Sequence, residues 1–477
     1  MGQMLLSDLL PDHREQLRVD PKIAGLSEDS RRIQQGMLFV AIRGSSADGH
    51  AYVNDACARG AFAVVAERPV TVPAGVALVI VPSGRAALAA MAARFYGHPA
   101  RELTVIGFTG TFGKTSTSDV LRRLLDGAGR RTGVLGSFGA RYEAFHQPDR
   151  GLTTPAPVEL HAALRGLVAA GADTVIMEVT SHALAMERVA GLTFQGGLIA
   201  AIMPGEHTDF HRSYEDYVDA KRLFLGYLAP DAVLAYDADN PAARRLASDA
   251  RVAHRAGFSL DGHPADLTFG DVRLDGTGAS FTVNGTPMCS ALLGSGHVRN
   301  VALALTYALN AGVSPEATRE VLRSLTPHRR RMERYEAAGR QILDDTAGHP
   351  ESLRATFEVA ALIPHRRLVL AYAIRGSRGP EINRRNAEAL ADLAVDGAAR
   401  LFVTSSTDIA GAHDRVTEEE QDATRATLTS RGRPHVFHEK LEDTLRAAVS
   451  ESSSEDLILL LGSQGMDHAK RLLRALG

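Results

Sequence analysis

The chain has 477 residues, a net charge of −3 and two cysteines. That length suggests two to four domains at about 100–200 residues each, and the near-neutral charge gives no general polyanion-binding signal, so nucleic acid is not an expected partner. Cys57 and Cys289 define neither a disulfide framework nor a zinc site, which fits a reducing cytoplasm. The start, MGQMLLSDLLPDHREQL, lacks the long apolar core of a signal peptide. No run reaches the roughly 18 apolar residues needed to span a bilayer, so a cytoplasmic protein without a membrane partner is expected.

Three sections follow one another. In residues 1–99, β-like runs at 37–42 (MLFVAI) and 61–67 (AFAVVAE) flank a helical stretch from Val53 to Arg59. An Ala-rich helix follows from Ala86 to Tyr96 and is broken by Gly97-His98-Pro99. This predicts a small α/β domain. Residues 100–328 open on LTVIGFTG, a buried strand entering a glycine loop, with a helix from about Ser116 to Leu125. Apolar runs at 174–179 and 196–203 alternate with helical segments near 157–170 and 214–228. That alternation predicts a doubly wound parallel sheet whose ligands gather at the carboxyl ends of the strands. A β-rich appendage over 251–290 and a helix from Val298 to Ala311 complete the section. Residues 329–477 carry QILDD, RLVLAYAI, ARLFVTSS and DLILLLGS as strands separated by helices, a Rossmann-like unit. The expected fold class is therefore α/β in three domains, the central one holding a phosphate loop.

The loop is Thr109-Gly110-Thr111-Phe112-Gly113-Lys114-Thr115, with Ser116 next. Gly110 and Gly113 let backbone N–H groups approach phosphate oxygens, and the following helix adds the partial positive charge of its N-terminus. Lys114 can reach the outer phosphates and the Thr115 hydroxyl can ligate Mg²⁺. The strict G-x-x-x-x-G-K-[ST] spacing fails by one position, because residue 108 is Phe. Glu178 ends the run TVIMEV, where a carboxylate could hold Mg²⁺ beside the nucleotide. The segment 205–211 offers Glu206, His207, Asp209 and His211; a structural role for His211 stands level with a functional one. Position alone does not single out Lys221 from a surface lysine.

The combined motifs resemble the Mur ligase family, and within it the branch that adds the third amino acid of peptidoglycan precursors (MurE). The resemblance covers nearly the whole chain. It rests on Asp29-Ser30-Arg31, MLFVAIRG and Ala47-Asp48-Gly49-His50, then TGTFGKTST, GLTTPAPVEL at 151–160, MEVTSHAL at 177–184 with Arg188 beyond, and HTDFHRSYEDYVDAKRLF at 207–224. It implies ATP-dependent phosphorylation of a substrate carboxylate, attack by an amine on the acyl phosphate, and loss of phosphate. It also implies Mg²⁺ held by Thr115, Glu178, His207 and a CO₂-carbamylated Lys221, with Lys114, Glu178, His207 and Lys221 as the catalytic set. Carbamylation needs a neutral amine and turns a cation into a carboxylate-like ligand. By the same resemblance Ser30, Thr153, Thr154, Ser181 and Arg188 bind a nucleotide-sugar substrate. Asn300 in GSGHVRN, Arg331 in RRMER and Asp345 in DDTAGHPESL join Gly110, Thr111, Gly113, Lys114, Thr115 and Ser116 as ATP contacts. The partners implied are a small-molecule carboxylate and an amine; monomers are common in the family.

The third section departs from the branch. Enzymes that add diaminopimelate carry Asp-Asn-Pro-Arg, whose arginine pairs with a carboxylate; this chain reads Ser406-Thr407-Asp408-Ile409 there. The Gly-Lys-Gly-His-Glu segment reads Gly462-Ser463-Gln464-Gly465-Met466-Asp467, and Arg330 stands where glycine is usual. IRGSRGPEINRRN replaces the Gly-Asp-Arg-Asp region and brings Arg375, Arg378, Arg384 and Arg385, either a solvated loop or a site for an anionic group. Phe112 replaces the loop asparagine. Three functions follow from this pattern: a ligase acting on a UDP-muramoyl peptide, a repurposed relative joining another carboxylate and amine, and a non-catalytic ATP-binding regulator. Retention of Lys114, Glu178, His207 and Lys221 opposes the third.

Overall fold

The computed structural model describes residues 2–44, 47–148, 151–204, 210–393, 400–411 and 414–476. The chain forms two compact units, one of residues 1–268 and 301–318, the other of residues 269–300 and 319–477.

Besides a two-stranded antiparallel pair of Met4–Leu5 and Lys22–Ile23, the first unit holds two larger sheets among the described residues. Near its amino end, strands Gly25–Ser27, Met37–Ala41, Ala63–Ala66 and Ala77–Ile80 lie side by side, all parallel. Alternation along Leu38-Phe39-Val40-Ala41 sends successive side chains to opposite faces. Leu38 and Val40 join Leu88 and Met91 of helix Gly84–Phe95 in one buried cluster. Phe39 and Ala41 join Val53 and Ala56 of helix Val53–Ala58 in another. Both faces are thus covered, as a parallel sheet requires. The fourth strand, Ala77–Ile80, is not among the expected elements, although the apolar run VALVIV at 76–81, bounded by Gly75 and Pro82, carries its signal.

The larger sheet of this unit runs in the order Phe145–Gln147, Gly139–Tyr142, Thr132–Gly136, Thr174–Glu178, Thr104–Thr109, Phe194–Ile199, Leu228–Asp237, His254–Ser259. From Thr132–Gly136 onward its pairings are parallel. Register brings Glu178 opposite Phe108 and Ile199 opposite Thr109. Three strand ends therefore finish level at one edge, and the loops leaving them share that edge. His254–Ser259, expected as part of a β-rich appendage, belongs to this sheet.

In the second unit, Leu267–Asp275 (from Phe269 onward), Gly278–Val283 and Thr286–Ser290 form an antiparallel meander. A six-stranded sheet is ordered Glu333–Ala337, Arg340–Asp345, Leu457–Leu461, Leu368–Ala373, Arg400–Thr404, Val436–His438. All but its first pairing are parallel. Apolar clusters on both faces, one around Leu343, Leu370 and Leu459 and one around Ile342, Val369 and Ile458, bury it. No helix of the described residues is long and apolar enough to cross a membrane.

Candidate functional site

The phosphate loop leaves strand Thr104–Thr109 and enters helix Lys114–Gly127. Gly110 has φ +151° and Gly113 φ +80°, and a side chain is strained in both conformations. A Cβ on Gly110 would also meet Ala200 Cβ at 2.7 Å. The loop is therefore bare backbone opening onto a helix N-terminus, which is what close approach of a phosphate requires. Lys114 Nζ donates to the Gly110 and Thr111 carbonyls at 2.9 and 3.0 Å. Thr115 and Ser116 are buried in the first turn.

Glu178 is 1 % exposed. Ser137 donates to it twice, through its N–H at 3.4 Å and its Oγ at 3.1 Å. The carboxylate lies against Gly136, where any Cβ would come within 2.3 Å of Oε1. Lys221, on helix Tyr214–Arg222, is also 1 % exposed. Its Nζ donates to the Gly110 carbonyl at 3.0 Å and to Thr109 Oγ1 at 3.4 Å, and lies 4.7 Å from the centre of the Tyr217 ring. A buried ammonium is costly without partners, and here the phosphate loop itself supplies them. Tyr217 ties the helix to the loop a second time, its hydroxyl 3.1 Å from Thr111 Oγ1. Carboxylate and hydroxyl oxygens at Glu178 and Thr115 are the hard donors Mg²⁺ prefers, and the glycine beside Glu178 leaves it room. His207, with Glu206 and Asp209, lies outside the described residues. Among the described residues no three His, Cys, Asp or Glu side chains gather as a metal cluster.

Beside Glu178 the acceptor candidates interlock. Thr154 Oγ1 donates to the Glu178 carbonyl at 2.9 Å and accepts the Thr180 N–H at 3.0 Å. Arg188 donates to the Thr154 carbonyl at 3.1 Å; burial lowers its pKa, opposed by the charge of Glu28. Thr153 Oγ1 is 3.2 Å from Ser137 Oγ, and Ser181 Oγ is 2.9 Å from His211 Nε2. Ser30 is buried at the start of a short 3₁₀ turn. A cavity of about 250 Å³, walled by Leu26, Asp29, Leu135, Leu152, Pro155 and Glu159 among others, lies in the same unit.

In the second unit, Asp345 accepts from the Met332 N–H at 3.0 Å and Thr356 Oγ1 at 3.1 Å. Burial raises its pKa, opposed first by Arg331. His297 is buried beside both charges, and burial lowers its pKa. Asn300 lies on helix Ser295–Asn310. The segments that depart from the MurE pattern are bonded internally. Asp408 accepts the N–H groups of Leu441 and Glu442 at 2.8 and 3.3 Å, and Thr407 bonds the Glu439 carbonyl. Glu420 accepts the N–H groups of Ser377, Arg378 and Gly379. Arg330, 3 % exposed with φ +55°, donates to Asp344 at 3.0 Å, Asp467 at 2.6 Å, the Ser463 carbonyl at 2.7 Å and the Gly462 carbonyl. Of the arginine cluster, Arg384 pairs with Glu381 and Glu388 on its own helix, and Arg375 donates to the Gly348 carbonyl. Ser137, Tyr217 and the Ser181–His211 contact are site features that sequence reasoning missed. The four-residue spacing of Tyr217 and Lys221 on one helix face was the available signal.

Three family descriptions match the chain: Mur ligase family, catalytic domain, over residues 22–96; Mur ligase middle domain over 108–308; and Mur ligase, glutamate ligase domain over 330–464. Among curated relatives, UDP-N-acetylmuramoyl-L-alanyl-D-glutamate--2,6-diaminopimelate ligases of Xylella fastidiosa and Chlorobaculum tepidum are 34 % and 31 % identical. The first match covers 96 % of this chain and 92 % of the relative, the second 92 % and 87 %. A solved structure of such a ligase superposes with a TM-score of 0.67 at 21 % identity, covering 97 % of this chain and 94 % of the other, a likeness of fold.

Proposed function

The chain belongs to the Mur ligase family, and from that premise we propose that it is an ATP-dependent ligase adding an amino acid to a UDP-N-acetylmuramoyl peptide. The observation that carries the reading is that Lys114 and Lys221 both donate to the Gly110 carbonyl of the phosphate loop, while Glu178 ends the neighbouring strand opposite Phe108 and Thr154 bonds its carbonyl. We divide the labour at about residues 99 and 328: nucleotide-sugar binding before, ATP and metal chemistry between, amine binding after.

A carboxylate is a poor electrophile. Transfer of the terminal phosphoryl group to the acceptor carboxylate makes phosphate the leaving group; the amine nitrogen then bonds to the acyl carbon as the C–O bond breaks. Lys114 would exchange the loop carbonyls for phosphate oxygens, holding a positive charge where negative charge develops. Mg²⁺, held by Thr115 and Glu178 and further by His207 and carbamylated Lys221, would neutralise phosphate charge. Ser30, Thr153, Thr154, Ser181 and Arg188 would seat the acceptor. Gly110, Thr111, Gly113, Ser116, Asn300, Arg331 and Asp345 would contact the nucleotide. A cytoplasmic, monomeric enzyme completes the proposal.

The third-section segments favour an amine other than diaminopimelate. Asp408 is committed to the start of helix Leu441–Ser450, and Arg330 occupies the carbonyls of the Gly462–Ser463 turn. Purified protein with ATP and Mg²⁺ should release phosphate when UDP-muramoyl dipeptide and pooled amino acids are both present. Release only with a different carboxylate would reassign the acceptor.

A further inference from the structure

Ser181, His211 and Asp216 stand in line within the first unit. Ser181 Oγ is 2.9 Å from His211 Nε2, and His211 Nδ1 is 3.6 Å from Asp216 Oδ2. Ser181 is 1 % exposed and His211 6 %, so water does not compete for the Ser–His contact. Asp216 is held in turn by the Arg212 N–H at 3.0 Å and lies at the surface. Among the described residues, the His182, Phe210 and Tyr217 rings also lie near the imidazole, at 5.7, 4.9 and 5.2 Å between centroids. Through Tyr217 the array touches both Thr111 of the phosphate loop and Lys221. Ser181 itself follows Glu178 by three residues at the same strand end.

We propose that Ser181 and His211, oriented by Asp216, form the proton relay that deprotonates the incoming amine. The inference rests on the ligase reading above. An amino acid reaches the site as an ammonium ion, which has no lone pair for attack, so amide formation must dispose of a proton. The Asp216 charge favours a proton on Nδ1, which leaves Nε2 to accept from the Ser181 hydroxyl and turns the Ser181 lone pairs outward. The ammonium gives its proton to Ser181 Oγ as the serine proton passes to His211 Nε2. The freed amine forms the C–N bond, its second proton leaves with the departing phosphate, and the imidazolium beside Asp216 returns the first proton to solvent. Ser181 touches substrate in this scheme; His211 and Asp216 act through it. General base assistance of this kind is worth about 10²–10⁴ in rate.

The test compares two amines in the full-length protein with ATP, Mg²⁺ and UDP-muramoyl dipeptide: the amino acid that supports turnover in a pool, and hydroxylamine, which is already neutral near pH 7 and needs no base. His211→Asn should lower kcat with the amino acid by about 100-fold or more, with KM for ATP unchanged, while hydroxamate formation stays within about threefold of wild type; Ser181→Ala should show the same loss with the amino acid. Raising the pH should recover the amino-acid rate in His211→Asn, and Ser181→Thr, which keeps the hydroxyl, should stay active. Equal losses with both amines, or none with either, would overturn the relay and leave the ligase reading intact. A wild-type protein that makes neither amide nor hydroxamate would overturn the ligase reading and the relay with it.

Discussion

Replacing His161 with leucine should stabilise the first compact unit in acid and do little at neutral pH. His161 lies on helix Pro157–Ala169, is 2 % exposed, and neither ring nitrogen has a hydrogen-bond partner among the described residues. Burial, with a smaller repulsion from His98, pulls its pKa from 6.5 down to about 4. The folded chain therefore keeps the ring neutral where the unfolded chain would protonate it. Above 6.5 both states are neutral and nothing is at stake. As pH falls from 6.5 toward 4 only the unfolded state gains the proton, so stability is lost through that window. Linkage puts the loss at about 2.5 kcal/mol near pH 4.5, or roughly 5–8 °C in Tm for a unit of this size. Thermal melts of wild type and His161→Leu, followed by circular dichroism, read the effect directly. Carboxylates that titrate in both proteins cancel in the difference. The variant should match or slightly exceed wild type near neutrality, since leucine leaves no buried polar atom unpaired, and lead by the full amount in acid. A gap that fails to widen on acidification would refute the argument.

Four further outcomes follow from the site. Lys114→Met should lower kcat about 10²–10³-fold, with KM for the acceptor little changed, in steady-state phosphate release. Lys221→Ala should nearly abolish turnover, and intact-mass measurement of the native protein should find one added CO₂ on Lys221 that is lost on removing bicarbonate; full activity in the variant would remove Lys221 from the mechanism. Arg188→Ala should raise KM for the acceptor without altering KM for ATP, because its guanidinium holds the Thr154 carbonyl rather than the phosphate loop. Arg330→Met should destabilise the second unit by about 3–5 kcal/mol in denaturant unfolding, because it leaves buried Asp344 without its cation.

The phosphate loop is legible in the sequence because its chemistry is local: glycines at two strained positions, then lysine and threonine opening a helix. Glu178 and Lys221 needed the resemblance, since a strand-end glutamate and a helical lysine are ordinary in sequence. Their partners were not legible at all. Ser137 lies 41 residues from Glu178 and Tyr217 lies 106 from Thr111, so only the strand order brings them together. Leu228–Asp237 is not among the expected strands; Pro230 and Asp231 sit inside it, and proline ordinarily demotes a strand. Thr132–Gly136 carries two glycines and no run of branched residues, yet all five of its residues are buried beside Thr174–Glu178. The departures of the third section are visible as changed letters; that Arg330 and Asp467 form one ion pair needed the fold.

The most direct test of the central claim is the mass of the product formed from ATP, UDP-muramoyl dipeptide and an amino-acid pool. The account predicts a single new species heavier than the dipeptide by one amino acid less water, formed with stoichiometric ADP and phosphate, and that amino acid is predicted not to be diaminopimelate. An unchanged dipeptide under conditions where another carboxylate is amidated would contradict it.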